Sequence, residues 1–208
     1  MSDEKARPRV QWAYIASIVG LAAIWLAMLV LGTDQLDRTL YEALYAGHRP
    51  GLLVIARIFT ALGEPTVLIA ACVMCALWLW YAGRGRLGAT LLLVALLGRG
   101  LSEVQKYWVA RARPDLQPHL VIVKTQSFPS GHATSSMIFY VALAVALTTR
   151  SRWRREAVIG AVLLSLLIGT SRVMLGVHWP SDVIGGWSFG MLWVLLTLGP
   201  VERLLRAS

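Results

Sequence analysis

Apolar and polar positions fall in blocks along this chain. Long apolar runs recur, each closed by a few charged or turn-forming positions, and runs of this length predict helices able to cross a bilayer. The first covers residues 12–31, and a polar connection, 32–50, follows it with Asp34, Asp37, Glu42 and His48. Residues 51–62 are mostly apolar but hold Arg57, which predicts a short helix lying in the interface, with the start of the next span as the other reading. Glu64-Pro65 then opens a second span through Tyr81, since a first-turn proline suits a helix start and a carboxylate suits its positive end. After the basic turn Gly83-Arg84-Gly85-Arg86, a third span runs over 87–106, interrupted by Arg99, Ser102 and Glu103. Residues 107–129 are polar. The fourth span is 130–149, the basic turn 150–155 ends it, the fifth is 157–171, the sixth is 181–200, and 201–208 form a tail. The pattern predicts an all-α fold: a polytopic membrane helical bundle of six transmembrane helices and a short interfacial helix. With no internal repeat, residues 1–208 read as a single membrane-embedded domain.

Composition agrees. The 208 residues are 57% hydrophobic, and the mean hydropathy of +0.62 is too high for an ordinary soluble domain. The net charge of +9 raises the question of nucleic acid. The basic residues, however, fall in short clusters between apolar runs without a continuous basic face, so no nucleic-acid partner is expected. They orient the bundle instead. Lys5, Arg7, Arg9, Arg84, Arg86, Arg150, Arg152, Arg154, Arg155, Arg203 and Arg206 would lie on one side, which places both termini in the cytoplasm. Loops 107–129 and 172–180 then face outward. Trp12, Trp80, Trp108, Trp153 and Trp179 lie near ends of apolar runs, as interfacial anchors do. Cys72 and Cys75 form a C-x-x-C inside an apolar helix with no second ligand pair, and read as small buried residues. The first run lacks a small-residue cleavage site and reads as a span, not a leader.

Three polar stretches interrupt this scheme. Residues 169–186, GTSRVMLGVHWPSDVIGG, put Arg172 six positions before His178 and Asp182 four after it. If Pro180 opens a helix, Asp182 falls in its first turn within reach of the His178 ring. A carboxylate on one ring nitrogen leaves the other free to attack an electrophile, and the Arg172 fork matches phosphate oxygens. A plain interfacial loop of mutually paired ions is the alternative. The second stretch begins at Lys106 and ends at Arg113-Pro114. If helical to its end, it sets the two cations two turns apart on one face, about 10 Å along the axis, so both can reach one anion. Ordinary snorkelling at a span end is the other reading. The third, Phe128-Pro129-Ser130-Gly131-His132, offers Ser130 as N-cap, Gly131 for close approach of an anion, and His132 to hand a proton to a leaving oxygen. An ordinary capped helix would look the same. With six spans, all three stretches lie on one membrane face.

Together, K-x6-RP, then PSGH, then SR-x5-H-x3-D resembles the type 2 phosphatidic acid phosphatase family, whose core is shared with vanadium-dependent haloperoxidases. The resemblance covers 106–182. It implies that His178 is the nucleophile, forming a phosphohistidine, that Asp182 orients it, and that His132 is the general acid. It implies further that Lys106, Arg113, Ser130, Gly131 and Arg172 hold the phosphate oxygens, with no metal and no cofactor. The expected substrate is a lipid phosphate or isoprenyl diphosphate held at the surface of membrane lipid. Undecaprenyl diphosphate leads, ahead of phosphatidylglycerophosphate, phosphatidate or lipid A 1-phosphate. In a bacterial cell this places a multi-pass protein in the inner (cytoplasmic) membrane with its site on the periplasmic face. A phosphotransferase, a haloperoxidase and a non-catalytic membrane protein remain as other classes. Arg99 and Glu103, four apart, are expected to form a structural ion pair. Gly185, Gly186 and Gly190 are expected to let helices pack closely.

Overall fold

The computed structural model describes residues 3–32, 34–149 and 151–207, with side chains between 11 and 198. The charges of Lys5, Arg7, Arg9, Arg150, Arg203 and Arg206 therefore lie outside the described residues or side chains. Among the described residues, eight helices follow one another: α1 (Asp3–Leu31), α2 (Gln35–Leu44), α3 (Pro50–Leu62), α4 (Pro65–Tyr81), α5 (Gly85–Val109), α6 (Gly131–Leu147), α7 (Arg154–Met174) and α8 (Pro180–Ala207). The described residues hold no strand.

Among the described residues, four stretches are long and apolar enough to cross a membrane unaided: Gln11–Leu31, Gly85–Val109, Arg154–Met174 and Pro180–Leu198. The pair α3–α4, bent by 43°, meets the same length and hydropathy requirement only when its two limbs are taken together. Both of its limbs start on a proline, and Gly63 separates them. The segment 51–62 forms a short helix of its own, α3, which packs against α7 and ends beside the polar stretches at 128–132 and 169–186. The remaining apolar helix, α6, has 17 residues, at the lower limit of spanning length. Large apolar side chains such as Leu77, Leu93 and Leu163 stay exposed around the bundle, as a lipid-facing belt requires.

The connection 32–50 is more structured than its polarity suggested. Asp34 caps α2 by accepting a bond from the Asp37 N–H at 3.0 Å. The buried face of α2 presents Asp37 and Tyr41 to the start of α8 and the turn before it. A polar helix with one buried stripe was hidden because its apolar partners are loops, not another apolar run.

The core fills the space between α4, α5, α6 and α8 with Leu79, Leu91, Ile138, Phe139 and Val194. Two indoles tie the helices by their N–H groups, Trp187 to Ser165 O at 2.9 Å and Trp193 to Val94 O at 2.8 Å. Where α8 crosses α6, a Cβ on Gly186 would come within 2.9 Å of Ser130 O, and one on Gly190 within 2.9 Å of Thr134 O. The glycines thus serve close helix packing at the height of the third motif. Of the tryptophans near span ends, Trp12, Trp80, Trp108 and Trp153 are exposed, but Trp179 is buried and donates to Ala112 O at 3.1 Å. It is a packing residue of the site, not an interfacial anchor.

Candidate active site

Four helix ends meet at one end of the bundle: the C-termini of α5 and α7 and the N-termini of α6 and α8. The turn from α7 to α8 carries the histidine. Gly176 adopts φ +78, a left-handed conformation open to glycine, and reverses the chain after α7. α2 holds this turn from outside. Tyr41 donates to Gly176 O at 3.3 Å, Tyr45 donates to Pro118 O at 2.8 Å, and Asp37 accepts the Ser181 N–H at 2.8 Å. Pro180 opens α8, so Asp182 stands in its first turn.

His178 and Asp182 are both buried. His178 Nδ1 lies 3.5 Å from Asp182 Oδ2 and 3.4 Å from Ser127 Oγ. The same carboxylate oxygen accepts from Ser127 Oγ and from the Trp179 N–H at 2.9 Å, while Oδ1 accepts from Arg111 at 2.9 Å. On the far side of the ring, Arg113 sits 3.2 Å from His178 Nε2. A guanidinium only donates, so this contact puts the lone pair on Nε2 and the proton on Nδ1, facing Asp182. Burial, followed by the charges of Arg113, Lys106 and Arg172, drives the His178 pKa well below its usual 6.5. The imidazole is therefore neutral, with a nucleophilic nitrogen aimed into a cationic pocket.

The Lys106–Arg113 stretch does not stay helical. α5 stops at Val109, and Ala110 takes φ 50, a strained conformation for a side-chain-bearing residue. The chain then runs extended, so Arg113 reaches the site from a loop and not from the face it would share with Lys106 on a helix. The outcome is still convergence. Lys106 Nζ donates to Gln126 O at 2.9 Å and Pro129 O at 2.7 Å, and Arg113 Nε to Thr125 O at 2.7 Å. Arg172, from the last turn of α7, donates to Thr60 Oγ1 at 2.6 Å.

Ser130 occupies the N-cap position of α6, but its hydroxyl makes no capping bond and is buried without a partner. Arg172 Nε and His132 Nε2 are likewise buried and unpartnered. Glu64 Oε2 comes within 3.4 Å of His132 Nε2 as an ion-pair contact without hydrogen-bonding geometry. At Gly131 a Cβ would make ordinary contact with Lys106 Cε at 3.8 Å, so that lysine packs beside the helix start. Unpaired buried polar atoms are costly. Here they converge beside a helix N-terminus with its free N–H groups, a cradle suited to a tetrahedral anion. Among the described residues, no group of three or more His, Cys, Asp and Glu could hold a metal ion.

Lys106, Arg113, Ser130, Gly131, His132, Arg172, His178 and Asp182 are thus brought together. Sequence reasoning passed over four others that touch them: Arg111, Ser127, Thr60 and Glu64. Arg111 had a signal, a second arginine two positions before Arg113. It also donates to Met28 O at 2.8 Å and Leu29 O at 2.9 Å, joining the end of α1 to Asp182.

A family model described as the PAP2 superfamily matches residues 86–204, taking in all three motifs. Phosphatidylglycerophosphatase B of Bacillus subtilis is 33% identical over 174 residues, which is 82% of this chain and 85% of that protein. An undecaprenyl-diphosphatase of Sulfolobus acidocaldarius is 31% identical over 140 residues, 62% of this chain and 65% of that protein. The crystal structure of a transmembrane PAP2-type phosphatidylglycerolphosphate phosphatase from Bacillus subtilis superposes with a TM-score of 0.80 at 30% identity, covering 90% of this chain and 97% of that one.

Proposed function

This chain belongs to the PAP2 superfamily and is a membrane lipid phosphatase, and we propose that it releases phosphate from a lipid headgroup through a phosphohistidine on His178. The observation that carries the reading is a neutral His178, backed by Asp182, facing a cluster of cations and unpartnered donors. Lys106, Arg113, Arg172, Ser130 Oγ and the N–H groups at the start of α6 take the non-bridging oxygens. Their fixed positive charge stabilises the charge that builds there during transfer. Arg113 turns from His178 Nε2 onto the phosphate and so frees the attacking lone pair. The Nε2–P bond forms as the bond to the leaving oxygen breaks, and His132 gives that oxygen its proton. In the second step His132 takes a proton from water, the water oxygen bonds phosphorus, and the Nε2–P bond breaks to release phosphate. Glu64 Oε2 lies 3.4 Å from His132 Nε2, the ring nitrogen that would carry this proton.

Two substrates have support. The longer match to the Bacillus enzyme favours phosphatidylglycerophosphate, and the archaeal relative favours undecaprenyl diphosphate, the leading expectation from sequence. The basic turns at Arg84–Arg86 and Arg152–Arg155 join helices at the end of the bundle opposite the site. That separation supports an inner-membrane protein with cytoplasmic termini and an outward-facing site. The test is phosphate release by detergent-purified protein from phosphatidylglycerophosphate, isoprenyl diphosphates, phosphatidate and lipid A. Release is expected with at least one, and none with His178→Ala; an active His178→Ala protein would end the phosphohistidine reading.

A further inference from the structure

A cleft opens between α4, α5 and α6. Pro65, Leu68, Cys72, Arg99, Ser135 and Phe139 are among its lining residues, and its empty space is about 400 Å³, open solvent included. None of Lys106, Arg113 and Arg172 lines it. In this apolar setting two polar atoms, Arg99 NH1 and Ser135 Oγ, are buried with no hydrogen-bond partner. The other terminal nitrogen of Arg99 meets Glu103 Oε1 at 3.6 Å, a loose pair whose side chains are 29% and 42% exposed. A guanidinium carries five donors, and leaving them unmet at membrane depth is expensive. Ser135 stands one turn below His132 on α6, and Arg99 lines the same cleft as Ser135. The unmet donors therefore lie in a cleft that reaches within one helical turn of His132 along α6.

We propose that Arg99, assisted by Ser135, forms an anion subsite on the leaving-group side, which binds a second phosphate and selects lipids bearing two phosphates. The proposal rests on the hydrolase reading above and sharpens it. An isoprenyl diphosphate leaves as a charged isoprenyl monophosphate, and phosphatidylglycerophosphate leaves as a charged phosphodiester lipid. Phosphatidate leaves as neutral diacylglycerol and offers Arg99 nothing. In the diphosphate case the bridging oxygen departs with the isoprenyl phosphate, taking the His132 proton, while Arg99 holds the departing charge.

The test compares farnesyl diphosphate, phosphatidylglycerophosphate and phosphatidate with purified protein in detergent. Arg99→Gln is expected to lower kcat/KM about 10- to 100-fold on the two-phosphate lipids, the scale of one charged hydrogen bond. On phosphatidate the change is expected to stay within about 3-fold, the residue of a bond not made there. Glu103→Gln, which releases Arg99 from its pair, is expected to keep or raise two-phosphate turnover. Arg99→Gln/Glu103→Gln removes both charges together and serves if the single variant fails to fold; the same selective loss is expected. Loss of only the diphosphate, or only the phosphatidylglycerophosphate, would identify which lipid uses the subsite. Equal loss on all three lipids, no loss on any, or a Glu103→Gln protein that fails like Arg99→Gln would overturn the proposal. A wild-type protein inactive on all three would instead overturn the hydrolase reading itself.

Discussion

Arg111→Met tests how Asp182 is held. The substitution keeps an unbranched chain against the Phe128 ring, over which the guanidinium lies at 4.5 Å, but removes every donor. Asp182 has no solvent exposure and would lose its one ion-paired contact, the bond from Arg111 at 2.9 Å, while keeping Ser127 Oγ and the Trp179 N–H. Breaking a buried pair by removing one partner costs about 3–5 kcal/mol. The two remaining bonds put the expected loss at the lower end, about 3 kcal/mol. The carbonyls of Met28 and Leu29 lose donors as well, but at the end of α1 water can replace them. The assay is a double-mutant cycle with Asp182→Asn, read by chemical or thermal unfolding in detergent. With no carboxylate left to strand, adding Arg111→Met should cost little, and the coupling should be roughly 2 kcal/mol, a value typical of contacting residues in one network. Phosphate release should also fall in Arg111→Met, because a displaced carboxylate no longer fixes the His178 tautomer. Additivity within about 0.5 kcal/mol would show that Arg111 anchors only α1 and would refute the reasoning.

Three other outcomes follow from the geometry. The His178 pKa is lowered in the folded protein, so the ring stays neutral as pH falls through 6.5; histidine ¹⁵N NMR of the substrate-free protein should show this, and a midpoint at or above 6.5 would contradict it. Because the unfolded chain takes up that proton near 6.5 and the folded chain does not, this group's contribution makes stability fall as pH drops below 6.5. Gly186→Ala gains helix propensity but sets a Cβ 2.9 Å from Ser130 O and 3.0 Å from Thr134 Oγ1; a net loss of about 1–3 kcal/mol is expected, the usual overpacking cost, and an unchanged or raised melting temperature would argue against close α6–α8 contact. Phosphate release should survive EDTA, since cationic side chains and helix N–H groups serve the phosphate oxygens; inhibition reversed by magnesium would rule out that account.

What the sequence made legible depended on scale. Apolar runs of spanning length named the main helices, and the spacing of His178 and Asp182 was readable because both groups lie within one local turn. Lys106 and Arg113 were paired for the wrong reason. Their spacing suits one anion only on a helix that continues to Arg113, whereas the chain leaves the helix at Ala110 and brings Arg113 in from a loop. α2 was missed because its burial depends on the turn before α8, some 135 residues away. Ser127 and Glu64 carry no local mark either. One is a serine before an aromatic and the other an acid at a helix start, and only tertiary contact makes them neighbours of His178 and His132.

The first helix lies wholly outside residues 86–204, the part that the family model matches. Yet its last carbonyls share one guanidinium with the carboxylate behind His178. A fragment trimmed to the matched region would leave that arginine with two fewer acceptors and the turn bearing His178 without the helix that holds it from outside.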